Sequence, residues 1–311
     1  MSVQSRKRVY IQEVCTRDGF QAEARFVATQ DKVALINQLS QTGLALIEVS
    51  SFTSPKAIPM LADAEDVFLR IERRSGVEYS ALVPNVKGCE RALAANATML
   101  NLVMSASESH SRANLKMSSE QSLSQFASIT DAARGKVKIN ASVSTVFGCP
   151  FEGDVPIDHV LDIVTRLVAL GIRHITLSDT TGMANPAQVR HLFDAVLERW
   201  PAVTFTAHFH DTRAMGLANV VAALDTGVTH FDASLGGLGG CPFAPGATGN
   251  ICTEDLVHML ECMGYDTGVN LEALLTAARS LPKIVGHDVP GHLIKAGPSS
   301  RRYSLSEASR Q

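Results

Sequence analysis

His208 and His210 stand one residue apart in TFTAHFHD, a run that otherwise reads as a buried β-strand. Successive strand side chains alternate faces, so the two imidazoles project together while Phe209 points the other way. A single histidine on an apolar face is usually a satisfied core residue. Two at period two, followed by Asp211, are better explained as ligands of one metal ion. Such an ion needs more ligands, and oxygen donors stand at the ends of other strand-like runs: Asp18 after RVYIQEV, and Asn250 at the far end of a glycine-rich segment. Two imidazoles, a carboxylate and an amide oxygen, with positions left open, suit Mg²⁺ or Mn²⁺, with Zn²⁺ as the second choice.

Other residues at strand ends bear chemistry as well. Arg17 precedes Asp18 in CTRDGFQAE, where Gly19 is expected to let the backbone turn; alone, an Arg-Asp pair is commonly a surface ion pair. Glu48 lies in the apolar run ALIEVSS and must be paired there, so a buried bridge to an arginine competes with an active-site role. Ser178 and Asp179 end another run, HITLSDT. The segment SLGGLGGCPFAPGATGN, residues 234–250, reads either as a flexible surface loop or as a loop that closes over a site. Pro242 and Pro245 restrain it, and it carries Cys241 as a movable thiol. The other cysteines, Cys15, Cys89, Cys149, Cys252 and Cys262, form no CxxC pair and are assigned to packing.

Eight β-rich runs, at 8–14, 45–51, 78–84, 99–105, 137–146, 174–180, 204–210 and 230–236, must position these residues. Between them lie stretches with helical spacing, such as TQDKVALINQLSQTGL, with Thr29 and Asp31 as capping candidates. Pro156 and Pro186 stand near two further helix starts, where a missing N–H costs least. Strict strand–helix alternation through eight units predicts a (β/α)8 TIM barrel with extra C-terminal helices; an open doubly wound sheet is the competitor. In a barrel, catalytic groups gather at the C-terminal ends of the strands, where the residues above stand. One catalytic domain is expected over residues 1–295, with a partly disordered tail over 296–311.

Composition sets the outer limits. The 311 residues, 45% hydrophobic with a formal net charge of −3, describe a globular chain with an ample core. Lys and Arg are scattered, so no electrostatic footprint for nucleic acid appears, although a small phosphorylated ligand remains compatible. The N-terminus lacks the apolar stretch of a secretory signal, and no run is long and apolar enough for a membrane span. A cytoplasmic protein with no membrane partner is expected.

Taken together, EVCTRDGFQAE, IEVSSFTSPKAIPMLAD, GCPFEG, HFHDT and GGLGGCPFAPGATGN resemble the 3-hydroxy-3-methylglutaryl-CoA lyase family, in order from about residue 8 to 265. The resemblance implies metal ligands Asp18, His208, His210 and Asn250, with Arg17, Glu48, Asp179, His208, Cys241 and Glu254 as active-site positions. The parts given to Glu254 and Asp179 come mainly from the family. It also implies an acyl-CoA substrate, a homodimer, and retro-Claisen cleavage to acetyl-CoA and acetoacetate. In that reaction a base takes the tertiary hydroxyl proton (His208, Asp18, or a water held by Glu48), Arg17 stabilises the enolate oxygen, and Cys241 returns a proton to carbon. Two departures bear on the acyl group: HDTRAMG has Arg213 and Ala214 where the family commonly has Tyr-Gly, and SESHSRAN has His110 where the animal enzymes more usually have an aromatic residue. A lyase for a related thioester such as citramalyl-CoA is therefore the alternative. A Claisen-type synthase usually carries a long regulatory domain, for which residues after 265 leave no room, and a non-catalytic barrel that binds CoA or metal is the third reading. Lys56 and Lys87 are positional candidates for contacts to the CoA phosphates.

Overall fold

The computed structural model describes residues 6–240 and 249–302. Eight parallel strands, β1 (Tyr10–Glu13), β2 (Leu46–Ser51), β3 (Glu78–Leu82), β4 (Met99–Ser105), β5 (Lys138–Ser144), β6 (His174–Asp179), β7 (Thr204–Phe209) and β8 (His230–Ala233), pair in chain order. β8 pairs back onto β1 along its whole length, which closes the barrel and excludes the open sheet. Every β-rich run of the sequence thus contains a strand. The helices are α1 (Thr29–Leu39), α2 (Ala64–Arg70), α3 (Val86–Ala94), α4 (Glu108–Leu115), α5 (Ser119–Ala133), α6 (Ile157–Ala169), α7 (Pro186–Arg199), α8 (Gly216–Thr226), α9 (Thr253–Cys262), α10 (Leu271–Val285) and α11 (Leu293–Ala296). The last two are the extra C-terminal helices. Among the described residues no helix is long and apolar enough to cross a membrane.

Local signals set most helix starts. Pro186 opens α7, and Asn185 ahead of it accepts from the Ala187 and Gln188 N–H groups while the Gln188 side chain returns to the Asn185 N–H. Pro156 immediately precedes α6. α1 departs from expectation: Ala28 occupies the cap position without a side-chain bond, and Thr29 is already helical. The Thr29 hydroxyl instead donates to Asp63 at 2.8 Å, beside a buried Lys32–Asp63 ion pair at 2.6 Å. A tertiary carboxylate has outcompeted the local cap.

The apolar core lies between barrel and helices, where Ile11, Ile47, Leu100, Leu177, Phe209 and Phe231 of the strands join Ile36, Val164, Phe193 and Leu256 of the helices in one cluster. The strands' other face is polar: Glu48, Asn101, Asn140 and Thr176 form one hydrogen-bonded chain in the lumen, and His208 pairs with Asp232. This division orients β7. Phe209 is buried outside the barrel, its ring 6.1 Å from that of Phe147, so His208 and His210 must face inward; a one-residue slip would exchange them.

Candidate active site

The imidazoles of His208 and His210 lie 5.2 Å apart between centroids, both buried at the C-terminal end of the barrel. His208 Nδ1 is 3.1 Å from Asp232 Oδ2 on the neighbouring strand, which turns the other ring nitrogen toward the cluster. Burial alone would lower the His208 pKa, but the bond to Asp232 and the charges of Asp232 and Asp18 raise it overall. Asp18 reaches the same place from a five-residue π-helical turn, Cys15–Gly19, that follows β1. Its Oδ2 lies 3.8 Å from His210 Nε2, and its Oδ1 accepts from Arg17 Nη1 at 2.5 Å. Burial pushes the Asp18 carboxyl up, yet the Arg17 guanidinium, both imidazoles and an Asn250 N–H hold it down at about 2. Gly19 takes no left-handed conformation. A Cβ there would sit 3.1 Å from Leu238 Cβ and 3.3 Å from Cys15 Sγ, so close packing rather than a turn favours the glycine.

One ligand atom from each of Asp18, His208 and His210 lies within 4.8 Å of the others, so these groups could hold one metal ion. Asn250 joins them through the chain fold, its backbone bridged to that of His210. Its Nδ2 donates to Asp18 Oδ2 at 2.8 Å and to the Leu238 carbonyl at 3.0 Å. Its buried Oδ1 accepts no hydrogen bond from any described residue. An orphaned amide oxygen costs free energy unless something occupies it, and a hard divalent cation is the partner this donor set fits. Glu48 has the buried bridge to arginine: Oε2 accepts from Arg17 Nε at 2.5 Å, and Oε1 accepts from Asn101 Nδ2 at 2.6 Å.

Residues 8–281 match the family model described as HMGL-like. The chain belongs to the HMGL-like family. It is 48% identical to the hydroxymethylglutaryl-CoA lyase of Bacillus subtilis, over 94% of this chain and 99% of that protein. It is 43% identical to the mitochondrial hydroxymethylglutaryl-CoA lyase of Rattus norvegicus, over 87% and 84% respectively. An HMG-CoA lyase structure from Acenitobacter baumannii, in complex with coenzyme A and 3-methylmalate, superposes with a TM-score of 0.92 at 50% identity, covering 96% of this chain and 97% of that one.

In this HMGL-like barrel Asp179 ends β6 beside β7, its backbone carbonyl accepting from the His210 N–H at 3.2 Å. Asp179 is buried and spans the turn after β6, its Oδ1 accepting from the Met183 N–H at 2.7 Å and its Oδ2 from the Ala184 N–H at 3.0 Å. Burial outweighs these bonds and raises its pKa to about 6. Glu254 is buried near the root of the glycine-rich segment, where Oε2 accepts from the Gly236 N–H at 3.1 Å. The structure does not bring it to the histidines. Beside it Glu13, absent from the expectations, takes the Cys15 and Leu235 N–H groups and the Thr253 hydroxyl, and burial lifts its pKa to about 7. Asp211 also turns away from the cluster, accepting from the Gly216 N–H at 2.8 Å. Cys241 lies outside the described residues.

The two departures have structural explanations. Arg213 donates to the Thr181 and Gly182 carbonyls at 3.0 and 2.8 Å and clamps the loop after β6. Ala214 next to it has φ +55°, a left-handed conformation that suits the glycine more common there. His110 is fully buried, Nδ1 3.0 Å from Ser105 Oγ. Lys56 and Lys87 are exposed. Sequence reasoning missed Asp232 and Asn101. Their signal was a polar residue at an inward strand position, legible once the register is known.

Proposed function

We propose that this HMGL-like protein cleaves 3-hydroxy-3-methylglutaryl-CoA to acetyl-CoA and acetoacetate. One observation carries the reading: Asp18, His208 and His210 converge at the barrel mouth with Arg17 bonded to Asp18, in a chain that resembles hydroxymethylglutaryl-CoA lyases along nearly its whole length. The reaction removes the proton of the tertiary hydroxyl, breaks the bond between the second and third carbons, and leaves an enolate whose second carbon takes a proton. Asp18, His208, His210 and Asn250 would hold a divalent ion, Mg²⁺ or Mn²⁺ rather than Zn²⁺, which when bound lowers the pKa of the substrate hydroxyl. Arg17 is permanently charged and held by Glu48 and Asp18, so its guanidinium is aimed before charge develops on the enolate oxygen. Asp18, held near 2, is a weak base, and both Glu48 oxygens already accept bonds. His208 Nδ1 lies 3.1 Å from Asp232 Oδ2, so the ligand and proton-acceptor roles of His208 compete for Nε2. A ring nitrogen cannot both ligate and accept a proton, so the metal affinity of a His208 variant decides its part. Cys241 is the proposed proton donor to carbon, while Asp179 and Glu254 shape the backbone around the site.

The structural relative with coenzyme A and 3-methylmalate holds a shorter hydroxy-diacid, which supports a second reading, a related thioester such as citramalyl-CoA. A coupled assay for acetyl-CoA release with Mg²⁺ or Mn²⁺ and a thiol reductant, offering both thioesters, tests the choice. A higher kcat/KM for 3-hydroxy-3-methylglutaryl-CoA supports the first reading, and the reverse order replaces it with the second. We further propose a cytoplasmic homodimer, supported by the family resemblance and by a relative from Mus musculus named as cytoplasmic; sedimentation tests the dimer.

A further inference from the structure

We infer that Asn101 is a positioning residue of this reaction, aiming the Arg17 guanidinium through Glu48; the inference rests on the role proposed for Arg17. Arg17 stands on the π-helical turn after β1, not on a strand, and Asp18, its other partner, stands on the same turn, where Asn250 Nδ2 donates to it at 2.8 Å. Glu48, on β2, is the contact that joins the guanidinium directly to a barrel strand. A carboxylate held by one donor can still rotate about its last bond. The second donor, Asn101 Nδ2 at 2.6 Å, fixes the carboxylate plane and with it the direction of the Arg17 Nε bond at 2.5 Å.

The Asn101 amide is itself oriented from behind. Its Oδ1 accepts from Ser142 Oγ at 2.8 Å and from Asn140 Nδ2 at 2.9 Å, and Asn140 Nδ2 also lies 3.0 Å from Thr176 Oγ1. A flipped amide would set its NH₂ against the Asn140 donor and its oxygen against the Glu48 carboxylate, so only one orientation satisfies the chain. β4, β5 and β6 thus determine which way a side chain after β1 points. A polar relay in a barrel lumen has a purpose here that packing alone would not supply, since apolar residues of similar volume fill such lumens at lower desolvation cost.

Asn101→Leu removes the donor while keeping the number and branching of the side-chain heavy atoms. With 3-hydroxy-3-methylglutaryl-CoA and Mg²⁺, kcat is expected to fall about 10- to 100-fold while KM moves less than about threefold, because a misaimed group loses transition-state contacts first. Mg²⁺ affinity by calorimetry is expected to stay unchanged. In the Arg17→Gln background the same substitution is expected to leave kcat where it is. Ser142→Ala, which removes one of the two bonds behind the amide with little threat to folding, is expected to lower kcat about two- to tenfold. Equal losses from Asn101→Leu in both backgrounds, a KM effect without a kcat effect, or unchanged kcat in both lumen variants would each overturn the inference. Full turnover in Arg17→Gln alone would overturn the Arg17 reading as well, whereas an inactive Arg17→Gln beside a fully active Asn101→Leu overturns only the positioning role.

Discussion

Arg17→Gln separates what the guanidinium does for the fold from what it does for the reaction. Arg17 gives Nε to Glu48, whose side chain is 2% exposed, and Nη1 to Asp18. Removing one member of a buried ion pair typically costs about 3–5 kcal/mol, because the other charge stays buried without its partner. Glutamine keeps a shorter donor and Asn101 still serves Glu48, so a loss near 3 kcal/mol is expected in urea denaturation. Turnover should fall further than this structural damage explains. Deleting a preorganised donor to a developing oxyanion costs about 10²- to 10³-fold in kcat, or about 3–4 kcal/mol. KM for 3-hydroxy-3-methylglutaryl-CoA should move little, since the contact forms with charge absent from the ground state. Mg²⁺ binding, measured by calorimetry, should persist, since Asp18, His208, His210 and Asn250 are untouched. The decisive comparison adds Glu48→Gln to the same chain. Neutralising the stranded carboxylate should restore most of the lost stability while kcat stays down. Turnover that returns together with stability, or that never fell, would refute an electrostatic role and reduce Arg17 to a structural ion.

Other expectations test neighbouring parts of the site. His208→Ala should lose both Mg²⁺ binding and turnover; retained binding with lost turnover would make His208 the proton acceptor instead. Asp232→Asn, by freeing the His208 ring, should weaken Mg²⁺ affinity about 10- to 100-fold, read by calorimetry, and unchanged affinity would remove its orienting role. Glu13 has a folded pKa near 7 against an ordinary 4.5, so the folded chain binds the extra proton in between and stability falls as pH rises through that window. Glu13→Gln should shrink the stability difference between pH 4.5 and pH 8 by about 3 kcal/mol, and an unaltered pH slope would contradict this. Ala214→Gly relieves a left-handed alanine and should raise stability by up to about 1 kcal/mol; a lower unfolding midpoint would show that no strain resides there.

Much of the architecture was legible because its signals are local. Alternation along eight short runs marked each strand, and helical spacing between them implied parallel neighbours, which is why barrel closure came close to following. The shared face of His208 and His210 needed nothing beyond the two-residue period of a strand. The need for oxygen donors at other strand ends added Asp18 and Asn250, and the fold brings both beside that pair.

Partnerships between distant segments were decided elsewhere. The sequence could say that Glu48 needed a partner but not that Arg17 and Asn101 would supply its two bonds, because those contacts depend on how β1, β2 and β4 are staggered around the lumen. Asp232 stays inconspicuous in HFDASLG until the register of β7 and β8 sets it beside His208. The resemblance gave Asp179 and Glu254 their active-site parts, but not the backbone N–H groups of Met183, Ala184 and Gly236 that their carboxylates accept from, because such partners depend on the donors that tertiary packing leaves unpaired. Thr29 likewise gives up a cap for Asp63, which lies 34 residues away along the chain. Local periodicity determined the elements and which face each side chain takes; closure of the barrel decided which polar groups meet, because hydrogen-bond partners are chosen by proximity in space.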